Sequence, residues 1–153
     1  MSKPPDARDG TWSRYPETVL RFATDPEIDV DLRTPVAAPT RNALRAIGMG
    51  GQFAVLTAYN PRGENISRDA NDDRSQQLEA ELRSSGEKFV RVDACSPDKS
   101  HCECSVALAS TWDRAVALAK RFEQVAIFWF DGNQFWIVGV LPPAAPMKLP
   151  VGE

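Results

Sequence analysis

The chain has 153 residues, 42% hydrophobic and 25% charged, which suits one domain with a core of useful size rather than a string of domains. A formal net charge of -3 at pH 7, with both signs mixed along the chain, gives no overall basic field, so nucleic acid held through its phosphates is not expected. No apolar run approaches the roughly eighteen residues of a membrane span, and the start from Met1 to Asp6 lacks the apolar centre of a secretory signal. Three cysteines, an odd number, speak against a disulfide framework, and the expectation is a cytoplasmic protein with no membrane partner.

Residues 1–14 are polar and rich in Pro, Asp and Arg, and read as a flexible tail ahead of a single α/β domain over 15–141. Within it, 18–22 and 28–32 read as short strands, and Thr40 is placed to cap a brief helix over 41–47 that Gly48 ends. A strand over 53–59 is closed by Asn60, Pro61 and Gly63. Asn71, followed by Asp72 and Asp73, has the chemistry of a helix N-cap, and the helix runs to about 85 with Leu78 and Leu82 inward and Gly86 as its stop.

Strands follow over 89–94 and 102–109. Ser110 with Asp113 resembles a capping box, and Trp112, Ala115, Val116, Ala119 and Phe122 then recur at helical spacing. The apolar run 125–130, the turn Asp131-Gly132-Asn133 and the return over 134–140 form a hairpin. From Pro142 onward, four prolines (142, 143, 146 and 150) mark residues 142–153 as a tail outside the sheet.

From residue 53 the order is strand, helix, strand, strand, helix, strand, strand. This predicts an α+β, ferredoxin-like antiparallel sheet with helices on one face, extended by an N-terminal strand/helix segment and a C-terminal hairpin. The opposite face is expected to be solvated, covered by the N-terminal third, or used by a ligand or a second subunit.

Thr57-Ala58-Tyr59-Asn60-Pro61, followed by Ser67, Asn71, Arg74, Ser96, Pro97, Glu103, Ser105 and Gln124 with Ala126, Phe128 and Trp129, resembles a bacterial family catalogued as domain of unknown function 3293. The resemblance spans about 53–140. It implies recurring polar positions at Asn60, Asn71, Arg74, Glu103 and Gln124, and no reaction. Cys102 and Cys104 depart from it, since members usually carry other residues there.

Cys95, His101, Cys102 and Cys104 supply the donors of a tetrahedral zinc site, but the spacing of a lone cysteine and a crowded trio is unlike paired zinc knuckles. Strand alternation puts Cys102 and Cys104 in one row with Val106 and Leu108, which reads as core packing; no cofactor is expected, with zinc the alternative. The opposite row holds His101, Glu103 and Ser105. A carboxylate beside an imidazole is the arrangement of a general base, so Glu103 and His101 are the catalytic candidates against a plain solvated strand face.

Arg62, Arg68 and Arg74 gather near a helix start, where free N–H groups favour an anion, although Glu64, Asp69, Asp72 and Asp73 offset them. Asn60, Arg62, Asn71, Arg74 and Gln124 are therefore the candidate binders of a small polar or anionic ligand. The bland alternative is a cap at Asn71 and an ion pair from Arg74 to Asp73 or Glu79. The aromatics at 112, 122, 128–130, 135 and 136 exceed what one small core needs, which leaves room for a stacking platform or a homodimer contact. Three function classes follow: a small-ligand binder, a protein-interaction module of the inhibitor or immunity kind, and a hydrolase or transferase using Glu103 or His101.

Overall fold

The computed structural model describes residues 14–151. Eight strands form one curled, half-barrel antiparallel sheet: β1 (Val19–Phe22), β2 (Ile28–Asp31), β3 (Phe53–Thr57), β4 (Phe89–Cys95), β5 (Cys102–Leu108), β6 (Ala126–Phe130), β7 (Phe135–Val140) and β8 (Pro143–Lys148). Their order across the sheet is β2-β1-β4-β5-β3-β6-β7-β8. Among the described residues three α-helices, α1 (Ala38–Ala46), α2 (Arg68–Ser84) and α3 (Trp112–Arg121), pack against it.

The ferredoxin-like expectation is corrected here. β1 pairs with β4 and β8 with β7, so segments read as appendages enlarge the sheet, and a twisted sheet of this width curls. The helices also divide between the two faces. On one face Leu78 and Leu82 of α2 and Ala115, Leu118 and Ala119 of α3 bury Leu56, Val106, Leu108, Trp129 and Val138. On the other, Leu44 of α1 and Met49 close over Leu20, Phe22, Val30, Phe53, Val92, Phe130, Phe135 and Ile137.

Strand alternation produces both cores: Phe53 and Val55 point to the core under α1, Ala54 and Leu56 to the core under α2 and α3. The hairpin aromatics divide the same way. Phe128, Phe130 and Phe135 enter one core and Trp129 the other, with Trp136 packed against it, while β8 covers the hairpin's outer edge. The stacking platform is therefore not formed by the hairpin, and Trp112 is the large aromatic left exposed among the described residues.

The C-terminal tail expectation fails for a local reason. Pro143 and Pro146 stand in a strand at the very edge of the sheet, where a residue without an N–H is tolerated. The N-terminal tail expectation falls on residues that, but for Arg14, lie outside the described ones. All three helix caps differ from expectation. α3 is capped not by Ser110 but by Thr111, whose Oγ1 accepts from the Arg114 N–H at 3.1 Å. α1 starts at Ala38 with a proline in its first turn, so Thr40 is inside it. α2 starts at Arg68, capped by Ser67, whose Oγ accepts from the Ala70 N–H at 3.1 Å. Gly48 (φ +85) and Gly86 (φ +70) do stop their helices in the left-handed region. Among the described residues no helix is long and apolar enough to cross a membrane.

Candidate functional site

Where β3 ends, the chain turns at Asn60 in the left-handed region (φ 47), which asparagine tolerates because its short amide finds local hydrogen bonds. Those bonds come from α2. The Asn71 Oδ1 accepts from the Asn60 N–H at 2.8 Å, and Asn71 Nδ2 donates to Asn60 Oδ1 at 2.9 Å. Asn71 is thus no cap; it is buried in the first turns of the helix and fixes the loop that leaves β3.

Two further non-glycine residues in the left-handed region, Arg62 (φ 59) and Glu123 (φ 57), meet each other. The Arg62 N–H donates to the Glu123 carbonyl at 2.6 Å and Arg62 Nε lies 2.9 Å from Glu123 Oε2. Backbone held in such conformations costs free energy and persists only where its surroundings over-determine it. Arg74 adds a second tie between the same regions. Its Nε donates to the Ala58 carbonyl at 2.7 Å and its other nitrogen to the Phe122 carbonyl.

These ties shape a cleft of about 550 Å³ at one end of the sheet. Its walls come from the ends of β3 and β4, the turn into β5, the start of β6, and the segment around Tyr15 that crosses above them. Phe128 and Val125 supply an apolar wall, with the Tyr15 ring edge-on to Phe128 at 5.7 Å. Gln124 is only 5% exposed. Its Nε2 donates to the Tyr59 and Phe122 carbonyls, both at 3.0 Å, so the amide orientation is fixed and Oε1 is left with no partner among the described residues.

Glu103 faces the same cleft. Its Oε2 accepts from Asn60 Nδ2 at 3.2 Å and lies 3.4 Å from His101 Nε2, while Oε1 has no partner among the described residues. Beside it, Tyr59 OH donates to Asp72 Oδ1 at 3.0 Å, and burial first, then the neighbouring Cys104 and Asp72, push its phenol well above the ordinary tyrosine range. The turn carrying His101 is organised by Asp98. Hydrogen bonds from the Ser100 N–H, Ser96 Oγ and Ser100 Oγ hold its carboxyl down at about 2.

The structure therefore brings together Asn60, Asn71, Glu103, His101 and Gln124, and separates the arginines from them. Arg62 is spent on Glu123 and lies largely exposed, and Arg74 is spent on two carbonyls. The ion pair of Arg74 with Asp73 or Glu79 is not formed either; Glu79 instead takes Arg91 at 2.8 Å and Arg83 at 3.0 Å, which hold its carboxyl below the ordinary range.

The cysteine reading is also corrected. Cys95 and Cys102 stand opposite each other on β4 and β5 and form a disulfide, with Cα atoms 4.1 Å apart. Cys102 and Cys104 do share a sheet face with Val106 and Leu108, but β5 runs beyond the cover of the helices there, so both are exposed and join no apolar row. Among the described residues no group of His, Cys, Asp and Glu is placed to hold a metal, and a cysteine pair already joined in a disulfide offers no thiolate to zinc.

Sequence reasoning missed Tyr15, Tyr59 and Val125 as site residues, and read Phe128 as core or as part of an aromatic platform. Period-two alternation from Phe130 puts Phe128 on the face that α1 covers, but only the crossing of the 14–18 segment turns that end of the face into a cleft. No curated protein and no solved structure matches this chain. Residues 56–127 match the family model described as a protein of unknown function, DUF3293, over the stretch that carries Asn60, Asn71, Arg74, Glu103 and Gln124. Through that match, which covers a little under half of the chain, the 56–127 stretch is similar to the DUF3293 family.

Proposed function

We propose that the cleft at the end of the sheet binds a small polar molecule. The observation that carries this reading is the buried Gln124 of the lining, whose amide is held by two hydrogen bonds from its own nitrogen and whose Oε1 has no donor among the described residues. A buried acceptor without a partner costs about 1–3 kcal/mol. That cost is recovered when a donor enters from the cleft. The cleft's volume lies within the roughly 300–1,000 Å³ of small-molecule sites, and an apolar wall with a few convergent polar groups is their usual lining.

The test is a fragment set of small polar molecules read by amide chemical shifts. Binding that perturbs Tyr59, Glu103 and Gln124 together supports the reading. Fragments that scatter over the surface, or leave these three residues unmoved, overturn it.

A second reading draws on the distance between His101 and Glu103. A carboxylate held by Asn60 and lying 3.4 Å from an imidazole can orient that ring as a general base, which would make the cleft the centre of a hydrolase or transferase. It predicts turnover of at least one member of a panel of chromogenic esters and phosphoesters, lost in Glu103→Gln; turnover unchanged in that variant removes it.

A further inference from the structure

We propose that the ligand of this cleft is an organic cation with a forked N–H donor head, of the amidine or guanidine kind, carried on a compact apolar body. The inference rests on the reading of the cleft as a binding site and names the chemistry that the site selects. Two acceptors of the lining, the Gln124 Oε1 and the Glu103 Oε1, have no partner among the described residues. Glu103 Oε2 accepts from the Asn60 amide and lies 3.4 Å from the His101 imidazole, and among the described residues no guanidinium or ammonium is paired with this carboxylate. An incoming cation completes it, and charge-assisted hydrogen bonds are about twice as strong as neutral ones.

Two of the arginines that would favour an anion are engaged elsewhere. Arg74 forks onto the Ala58 and Phe122 carbonyls, and Arg62 pairs with Glu123 outside the lining. Arg14 does line the cleft, at the end formed by the 14–18 segment, and with Glu17 and Glu103 also in the lining the formal charges there do not sum to a positive value. Phe128, Val125 and the Tyr15 ring complete the cleft as an apolar surface on which the body of such a ligand rests, and an aromatic face adds attraction for a cation.

Benzamidine, benzamide and benzoate share one ring and differ only in the charge and donors of the head, which makes them the probe series. Each is titrated into the isotope-labelled full chain and followed at the amides of Tyr59, Glu103 and Gln124. Benzamidine is expected to bind at least about tenfold more tightly than benzoate and several-fold more tightly than benzamide. Glu103→Gln keeps an acceptor for Asn60 and removes the charge. It is expected to weaken benzamidine about tenfold and to leave benzamide within about twofold.

Benzoate or benzamide binding in the cleft as tightly as benzamidine overturns the cation assignment and leaves the cleft a binding site for another class. Failure of all three probes to move the three amides overturns the cleft reading and the assignment with it. Should Glu103→Gln lose its native spectrum, the three-probe comparison on the unaltered chain decides alone.

Discussion

Replacing Arg74 with lysine separates an anion-binding arginine from a structural one, because lysine keeps the charge and loses the fork. In the structure the guanidinium spans two carbonyls that no single ammonium position serves equally: that of Ala58, a fully buried residue leaving β3, and that of Phe122, at the C-terminal cap of α3. The Phe122 carbonyl keeps a second donor, Gln124 Nε2, whereas no other side chain among the described residues donates to the Ala58 carbonyl. Losing one charge-assisted hydrogen bond into buried surroundings costs about 1.5–3 kcal/mol. With a urea m value of about 2 kcal/mol/M for a chain of this size, Arg74→Lys is expected to lower the unfolding midpoint by about 1 M. The thermal midpoint falls in parallel by roughly 4–8 °C. The assay is equilibrium urea unfolding followed by tryptophan fluorescence, with m compared between the two proteins. A midpoint unchanged to within about 0.2 M, at equal m, would refute the account of Arg74 as the clamp between β3 and α3.

Reduction of the Cys95–Cys102 disulfide releases a short cross-strand loop, for which the chain-entropy relation gives about 2–3 kcal/mol; the urea midpoint should fall with reductant in the unaltered chain and not in a Cys95→Ala/Cys102→Ala variant. Ser67→Ala should cost about 1 kcal/mol of stability through loss of the cap on α2, and equal stability of the two proteins would contradict the cap assignment. Asp98 should titrate at about 2 by carboxyl carbon chemical shift, and Ser96→Ala should raise that value. Its folded-state pKa lies below the ordinary aspartate range, so it stabilises the 96–101 turn above that range. The contribution is lost as pH falls toward about 2, and a titration in the ordinary range would contradict the hydrogen-bonding pattern.

Sequence alone located most strands and the three helices of the described residues to within a few residues, because the signals for them are local. Alternation at Phe53-Ala54-Val55-Leu56, helical spacing at Ala115, Leu118, Ala119 and Phe122, and the stops at Gly48 and Gly86 act within a turn or a strand of where they stand. It also singled out Asn60, Asn71, Glu103, His101 and Gln124, polar residues at element ends, which the fold then gathers around one cleft. What it misassigned were their partners. Asn71 has the chemistry of a cap, and only the approach of the loop after β3 turns its amide toward Asn60. Arg74 has the chemistry of an anion binder, and only the packing of α3 beside β3 presents two carbonyls to it.

The sheet itself was decided by tertiary structure for the same reason. Whether β1 adds to β4, and whether the proline-rich β8 adds to β7, depends on long-range backbone pairing, which leaves little trace in a strand four to six residues long. The Cys95–Cys102 bond belongs to this class as well. Nothing in the spacing of three cysteines chooses a pair, whereas the register of β4 against β5 sets these two directly opposite one another.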